Sequence, residues 1–183
     1  MRIISGRWKG RFLVAPRNLP VRPTTDMAKE SLFNILNNYY DMDEVTVTDL
    51  FAGTGNISYE FASRGALSVR SVDMDRGCTK YISQTCEMLG FEGQMTVINS
   101  DVFKYLATAR GESDIIFADP PYFLSNGGIS VQSGRVVCVD KGEWDKGGTP
   151  EHIDAFNRKW ISLCRDKLKD NGTIWISGTY HNI

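Results

Sequence analysis

The apolar positions of the chain fall into two patterns that alternate from residue 45 onwards. Short, mainly apolar runs are typical of the buried strands of a parallel sheet, and apolar residues three or four positions apart are typical of helices. The runs that predict strands are Val45–Leu50, Ser68–Val72, Met95–Asn99, Ile115–Ala118 and Thr173–Ile176. The segments that predict helices are Ile57–Arg64, Gly77–Leu89, Val102–Arg110 and one that begins at Thr149-Pro150-Glu151. Strands joined by crossover helices predict an α/β domain with a mainly parallel sheet and helices on both faces.

The segment ahead of the first strand has a different pattern. Ile3-Ile4 and Phe12-Leu13-Val14 flank the glycine-bearing residues 6–10, which predicts a small N-terminal β-hairpin. Three prolines between residues 16 and 23 keep the next stretch extended. Helical spacing then follows Thr24-Thr25-Asp26, which are favoured helix caps. We therefore expect a helix before the main sheet.

One connection is unusually long for an α/β domain. Residues Phe123 to Gly147 have no helical pattern, and long connections of this kind are usually functional or mobile. Within it, Val131–Val136 resembles a short hairpin with a Ser-Gly turn.

Composition limits the class of protein. With 183 residues, 42% hydrophobic and 23% charged, the chain has the make-up of one ordinary globular domain. Neither an apolar run of about 20 residues nor a signal-peptide stretch is found, so we expect a cytoplasmic protein without a membrane partner. Its four cysteines form no CxxC pair and there are only two histidines, so we expect no metal site.

Charge is unevenly distributed along the chain. Six of the 21 cationic residues lie in the first 22 positions, and no carboxylate precedes Asp26. Such an arm could contact the phosphates of a nucleic acid, or it could be a solvated basic hairpin. The candidate nucleic-acid contacts are Arg2, Arg7, Lys9 and Arg11.

A glycine-bearing loop follows the first predicted strand. The segment Asp49-Leu50-Phe51-Ala52-Gly53-Thr54-Gly55-Asn56 places a tight turn at the carboxyl edge of the sheet, where ligands bind. Asp73 closes the second strand at about the offset at which an acid meets ribose hydroxyls, and Asp101 follows the third strand. Either acid could instead cap a helix. Ser58 stands where a dinucleotide fingerprint has its third glycine, which counts against a dehydrogenase.

The most specific motif is Asp119-Pro120-Pro121-Tyr122, directly after a strand. The two prolines remove two N–H donors, so that carbonyl groups and one carboxylate form a set of hydrogen-bond acceptors. Such a set suits the two donors of a planar NH2 group, and Tyr122 offers a ring on which a base can stack. The alternative is a rigid turn with an exposed tyrosine.

The tetrapeptide and the glycine loop together resemble the S-adenosylmethionine-dependent amino methyltransferases of nucleic acids. Residues 1–122 resemble in particular the bacterial enzymes that modify a guanine 2-amino group of small-subunit ribosomal RNA. The segments that carry this resemblance are Met1–Gly6, Arg22–Asp26, Lys29-Glu30, Leu32–Asn34, the glycine loop, Asp73 and Asp119–Tyr122. The resemblance implies a Rossmann-like methyltransferase fold.

The remainder resembles a different group. Residues 119–183 are similar to DNA adenine-N6 methyltransferases, through Phe123–Gly128, Gly142–Lys146 and Trp175–Ile183. The chain thus looks like two related methyltransferases joined at their shared tetrapeptide. Compared with the methyltransferase fold, the last two strands are expected to be missing.

The resemblance implies a role for each part of the site. S-adenosylmethionine would lie over the glycine loop, with Asp73 at its ribose and Asp101 near its adenine, and residues 22–26 would close over it. The implied cofactor-binding residues are Arg22, Thr24, Thr25, Asp49, Phe51, Ala52, Gly53, Gly55, Asp73 and Asp101. The implied catalytic residues are Asp119, Pro120, Pro121 and Tyr122.

Three functions remain open at this point. The first is methylation of guanine N2 in small-subunit ribosomal RNA, and the second is methylation of adenine N6 in DNA. The third is a binding module for cofactor or nucleic acid without catalysis. In each case we expect one domain, with a basic arm (1–22), a cofactor-binding and catalytic core (23–122), a long loop (123–147) and a last helix and strand (148–183).

Overall fold

Five α-helices, two short 3-10 helices and seven strands are present in the residues that the structure, a computed structural model, describes: 1–21, 24–121, 123, 129–132, 135–138 and 149–178. The helices are α1 (Asp26–Leu36), α2 (Asn56–Ser63), α3 (Arg76–Leu89), α4 (Val102–Thr108) and α5 (Pro150–Arg165). The strands are β1 (Thr46–Leu50), β2 (Ser68–Asp73), β3 (Met95–Asn99), β4 (Ser113–Ala118), β5 (Ile129–Gln132), β6 (Arg135–Cys138) and β7 (Leu168–Ile176).

Five of the strands form one parallel sheet in the order β3-β2-β1-β4-β7. From β1 the chain passes through α2 to β2 on one side, while β4 pairs with β1 on the other side. Strand order therefore reverses at β1, and such a switch point opens a crevice outside the carboxyl ends of the strands. The predicted α/β fold with a parallel sheet is confirmed.

Two apolar clusters cover the two faces of this sheet. The first contains residues of the N-terminal hairpin and of α1, α2 and α3, including the fully buried Phe33, Phe61 and Ile82. The second contains residues of α4 and α5, with the fully buried Trp160 at its centre. Both faces are thus shielded from water, which is why four of the five residues of β1 and five of the six residues of β4 are buried.

The predicted N-terminal hairpin is present and is anchored to the domain. Arg2 and Phe12 form an antiparallel bridge, and Ile3 and Leu13 are buried in the first cluster. The backbone N–H groups of Ile4 and Ser5 donate to the buried Glu60 carboxylate of α2, at 2.8 and 3.0 Å. The hairpin is therefore packed against α2.

Strand β7 begins earlier than the apolar pattern predicts. Its pairing with β4 shifts from Ser113 opposite Leu168 to Ile115 opposite Thr173, so that polar residues 169–172 form an irregular section of the strand. At Gly172 an added Cβ would lie 2.8 Å from the Ser113 carbonyl oxygen. Glycine is therefore required where the two backbones approach closely.

The predicted long connection, Phe123 to Gly147, lies largely outside the described residues. Within it the backbones of β5 and β6 pair antiparallel, with Val131 opposite Val136, as the sequence predicts. In the part of the chain that the structure describes, no helix has the length and apolarity needed to cross a membrane.

Candidate active site

A cavity of about 1210 Å³ lies at the carboxyl ends of β1, β2 and β4. Its walls come from residues 17–21, the glycine loop, the segments after β2, β3 and β4, and the first turns of α5. Among the described residues that line it, five are aspartates and two are arginines. This excess of acid favours a ligand that carries positive charge.

The glycine loop turns sharply because three of its residues adopt left-handed backbone conformations. Gly53 and Gly55 have φ of +55° and +74°, and Phe51 has φ of +60°. An added Cβ at Gly55 would lie only 2.9 Å from the ring of Tyr59, so glycine is needed there for packing as well as for conformation. The loop thereby presents the backbone of Ala52 and Gly53 to the cavity.

Asp73 ties the glycine loop to the end of β2. Its Oδ2 accepts the N–H of Gly53 at 2.7 Å, and its Oδ1 accepts the N–H of Asp75 at 2.8 Å. Burial raises the pKa of Asp73, and the two N–H groups oppose that rise. An ionised carboxylate has about four acceptor positions, so Asp73 can hold the loop and still accept ligand hydroxyl groups.

Asp49 lies at the bottom of the cavity and is 1% exposed. Its Oδ2 accepts the Ser58 hydroxyl at 2.5 Å, and the Ser58 hydroxyl oxygen accepts that of Ser71 at 2.6 Å. Burial raises the pKa of Asp49 to about 7, and the nearby charges of Asp119 and Asp73 add to the rise. Ser58, where the sequence departs from a dinucleotide fingerprint, thus has a hydrogen-bonding role beneath the loop.

The tetrapeptide lies across the same cavity. Asp119 is half-buried, Pro120 is buried, and both line the cavity together with Pro121. The Asp119 N–H donates to the Leu50 carbonyl at 3.4 Å, which connects the motif to the strand that carries the glycine loop. Tyr122 lies outside the described residues.

The remaining residues that the resemblance assigns to the cofactor differ in whether they line the cavity. Thr24 and Asp101 line the cavity, and Asp101 also caps α4 by accepting the Lys104 N–H at 3.1 Å. Thr25 caps α1 by accepting the Ala28 N–H at 3.2 Å, and it is not among the lining residues. Gly55 shapes the turn into α2 without lining the cavity. Arg22 lies outside the described residues.

An aromatic wall that sequence analysis did not find closes one side of the cavity. Phe123 follows the tetrapeptide with φ of +54°, and its ring packs edge-on against Phe156 at 5.2 Å between centroids. Phe103 packs against Phe156 from the other side at 5.3 Å, and His152 lies 6.4 Å from Phe123. Helical spacing alone does not identify Phe156 as a cavity residue, because a stripe of apolar residues looks the same in a core and in a cavity wall.

A buried ion pair connects the cavity to the hairpin. The Lys29 ammonium of α1 lies 3.2 Å from Glu60 and donates to Asn56 Oδ1 at 2.8 Å and to the Arg2 carbonyl at 2.6 Å. Asn56 lines the cavity, and its amide donates to the Thr24 carbonyl at 2.7 Å. Burial lowers the pKa of Lys29, and Glu60 opposes this effect. The segment at Thr24 is thus fixed over the glycine loop.

The candidate nucleic-acid residues lie on the outer side of the hairpin. Arg7, Lys9 and Arg11 are exposed, and the Arg7 guanidinium lies 5.7 Å from the centroid of the Trp8 ring. Arg2 pairs with Asp26 at 3.3 Å. Three of the four therefore present their charge to solvent without a nearby ion pair among those that the described residues form.

Two profiles of known protein families match this chain. A family profile described as Conserved hypothetical protein 95 matches residues 1–136. The chain belongs to this family. A second profile, described as DNA methylase, matches residues 113–183, so the two matches overlap on 113–136, which contains β4 and the tetrapeptide. Together with the relatives described next, these matches confirm both resemblances predicted from the sequence.

Individual relatives match different shares of the chain. Type II methyltransferase M2.DpnII of Streptococcus pneumoniae is 58% identical over 93 residues, which are 50% of this chain and 35% of that protein. Ribosomal RNA small subunit methyltransferase D of Escherichia coli (strain K12) is 35% identical over 122 residues, 67% of this chain and 60% of that protein. The chain therefore spans between about a third and three fifths of the length of these two curated relatives.

Solved structures show the same fold over nearly the whole chain. A protein from Escherichia coli described as a methyltransferase is 28% identical with a TM-score of 0.70, covering 97% of this chain and 80% of that one. A protein from Haemophilus influenzae described as a methylase is 25% identical with a TM-score of 0.65 and covers 98% of this chain and 81% of that one. The Rossmann-like methyltransferase fold is confirmed.

Proposed function

We propose that this chain transfers a methyl group from S-adenosylmethionine to the exocyclic amino group of a base in nucleic acid. The favoured substrate is guanine N2 of small-subunit ribosomal RNA, in the cytoplasm. The observation that carries the proposal is that Asp119-Pro120-Pro121 and the loop tied to Asp73 line one cavity at the switch point of the sheet.

The carboxylates and apolar side chains that line the cavity suit S-adenosylmethionine. When bound, this cofactor supplies an electrophilic methyl group on a positively charged sulfonium. The five aspartates of the lining favour that positive charge and that of the cofactor's ammonium group. Asp73 retains acceptor positions for the two ribose hydroxyls, and Phe103 and Met74 offer apolar surface for a planar base.

The chain's own residues would position and polarise the target amine. A conjugated exocyclic amine is a weak nucleophile, so its two N–H groups must be held while its nitrogen faces the methyl group. The Asp119 carboxylate and the Pro120 carbonyl are the acceptors that we assign to these N–H groups. Their negative charge and dipole stabilise the positive charge that develops on the nitrogen during transfer. To enter the cavity, the base must leave its stack.

Ribosomal RNA is favoured over DNA as the substrate because the similarity to a ribosomal RNA enzyme covers the larger part of this chain. The segment similar to the ribosomal RNA enzyme spans 67% of the chain and, with the match to residues 1–136, contains the hairpin, the glycine loop and the tetrapeptide. The outward cations of the hairpin are also consistent with a phosphate contact.

Adenine N6 of DNA is the second candidate substrate. It is supported by the DNA methylase profile over residues 113–183 and by 58% identity over 93 residues to a Type II methyltransferase. The profile match includes the tetrapeptide, so the alternative concerns the base and the polymer and leaves the chemistry of transfer unchanged.

Transfer of a tritiated methyl group from labelled S-adenosylmethionine tests the proposal. The acceptors are small-subunit particles that lack base methylation, naked ribosomal RNA and an unmethylated DNA duplex. Label in RNA, located on guanine after nuclease digestion, is the expected result. Label in DNA adenine would establish the second candidate, and label in neither polymer alongside normal cofactor binding would indicate a binding module.

A further inference from the structure

The outward face of the hairpin exposes large apolar side chains next to its cations. Phe12 is 71% exposed and Val14 is 87% exposed, whereas Leu13 between them is buried at 4%. Successive strand residues point to opposite faces, so Phe12 and Val14 share the outer face while Leu13 packs inward. The inner face therefore anchors the hairpin, and the outer face has no part in that packing.

Arg2 lies beside Phe12 on this outer face. The two residues are bridge partners, and the Arg2 guanidinium lies 6.0 Å from the centroid of the Phe12 ring. Asp26 accepts the backbone N–H of Arg2 at 3.3 Å and pairs with its side chain at 3.3 Å. Asp26 thus orients the guanidinium alongside the ring and offsets much of its charge.

Charge favours a nucleic acid over another apolar protein surface as the occupant of this face. The first 22 residues hold six cations and no carboxylate, and Arg7, Lys9 and Arg11 on the same hairpin are exposed. An exposed ring among cations is the arrangement by which proteins bind single-stranded nucleic acid, the ring stacking on a base and the cations contacting phosphates.

We propose that Phe12 is a stacking platform for an unpaired base of the RNA substrate, outside the cavity that receives the target base. The inference rests on the proposed function, because it concerns how the same substrate is held. Arg2 lies beside the ring, and the exposed cations of the hairpin bind the flanking phosphates.

Binding of fluorescent RNA to the full chain, measured without cofactor, tests this proposal. The probes are a single-stranded 12-mer and a duplex of the same sequence. The variants are Phe12→Ala, Phe12→Trp and, as a matched control, Leu67→Ala, since Leu67 is another exposed apolar side chain, 61% exposed just before β2. We expect Phe12→Ala to weaken single-strand binding about tenfold, Phe12→Trp to preserve it, and the control to leave it unchanged.

The salt dependence separates stacking from phosphate binding. Phe12→Ala should leave the slope of log affinity against log salt unaltered. Neutralising Arg7, Lys9 and Arg11 together should reduce the slope by roughly 0.7 for each phosphate of a single strand that the variant no longer binds. An altered salt slope in Phe12→Ala would show that the ring acts by positioning the cations of the hairpin, and this result would overturn the stacking role.

Two further outcomes would also overturn it. One is unchanged single-strand affinity in Phe12→Ala, and the other is an equal loss for the single strand and the duplex, in which bases are already stacked. The binding assay does not depend on methyl transfer. If the chain binds RNA through Phe12 but transfers no methyl group, the proposed function is refuted and the stacking role of Phe12 stands.

Discussion

The aspartates of the cavity show how surroundings give one side-chain type different properties. Asp49 is buried beneath the glycine loop and accepts a serine hydroxyl that in turn accepts a second serine hydroxyl. Asp73 instead accepts two backbone N–H groups. Asp119 is half-buried beside two prolines that lack N–H groups. We therefore expect substitutions at these positions to affect stability, cofactor binding and transfer separately.

Asp119→Ala should lower the rate of methyl transfer at least about a hundredfold, because the target amine loses an oriented and charged acceptor. Cofactor affinity, measured by calorimetry, should stay within a few-fold of the unsubstituted protein. Asp114→Ala is the control. Asp114 is the second residue of β4, the strand that Asp119 follows, and it accepts hydrogen bonds from Thr46 outside the cavity. Parallel losses of cofactor affinity and rate in Asp119→Ala would contradict its assignment to the amine.

Asp73→Ala should weaken cofactor binding by about 1.5–3 kcal/mol, the contribution of a hydrogen bond to a charged group. Because Asp73 also accepts the N–H of Gly53, thermal denaturation should show a loss of stability in the same variant. Asp114→Ala is again the control, since Asp114 accepts hydrogen bonds from Thr46 and lies outside the cavity. If calorimetry finds unchanged affinity in Asp73→Ala, its role is confined to holding the loop.

Asp49 should make the stability of the fold fall as pH rises. The pKa of Asp49 is about 7 in the folded chain and 3.8 in the unfolded chain, so between these values the folded state holds a proton that the unfolded state has lost. Each pKa unit is about 1.4 kcal/mol, so the free energy of unfolding should decrease by a few kcal/mol between about pH 4 and pH 7 and then level off.

Urea titrations of the unsubstituted protein and Asp49→Asn at about pH 5 and about pH 8 test this dependence. Asparagine can accept the Ser58 hydroxyl without carrying charge, so it should remove this part of the pH dependence. Equal changes between the two pH values in both proteins would show that another group is responsible.

At the scale of elements, one buried ammonium joins the hairpin, α1 and α2. Lys29 and Glu60 are both fully buried, and between them they contact backbone groups of Arg2, Ile4 and Ser5. This pair is costly to break because no water replaces the Lys29 ammonium, and the buried Glu60 carboxylate then keeps Arg64, 2.9 Å away, as its cation.

Lys29→Met should therefore lower the free energy of unfolding by about 3–5 kcal/mol in urea titrations. Arg2→Ala offers a comparison in the same region, because it removes the solvent-exposed pair with Asp26. That variant should lose less than about 1 kcal/mol, since water screens exposed pairs. Similar losses in the two variants would mean that burial does not determine the contribution of the Lys29 pair.

At the scale of the whole molecule, the sequence predicts the sheet better than it predicts the surroundings of the site. The mainly apolar runs identify all five strands of the sheet, because helices cover both of its faces. The start of β7 escapes prediction, since polar residues 169–171 enter the ladder only through a shift in pairing and the close approach of Gly172 to Ser113.

The candidate site is predictable where it depends on strand ends. Each of these aspartates stands within two residues of the end of a strand, so the sheet brings them to one cavity: Asp49, Asp73, Asp101 and Asp119. Glu60 is different, because a glutamate on a helix is normally solvated and only tertiary packing buries it. His152 and Phe156 reach the cavity through the position of α5, which no local pattern specifies.

We propose that the chain is a single folding unit, because both apolar clusters share the same sheet. Far-ultraviolet circular dichroism and tryptophan fluorescence should then report one coincident unfolding transition, since Trp160 lies in one cluster and Trp8 packs against the other. Two separated transitions would show that the hairpin side and the α5 side unfold independently.

The buried pair of Lys29 and Glu60 also limits how this scaffold can be engineered. A hairpin grafted alone onto another core of this fold would leave its Ile4 and Ser5 N–H groups without the carboxylate that they need. A recipient core that kept Glu60 and lacked Lys29 would remove one of the two cations that compensate this buried carboxylate, leaving Arg64 at 2.9 Å. An exchange of N-terminal hairpins between proteins of this fold would thus have to transfer Lys29, Asn56 and Glu60 together with the first 14 residues.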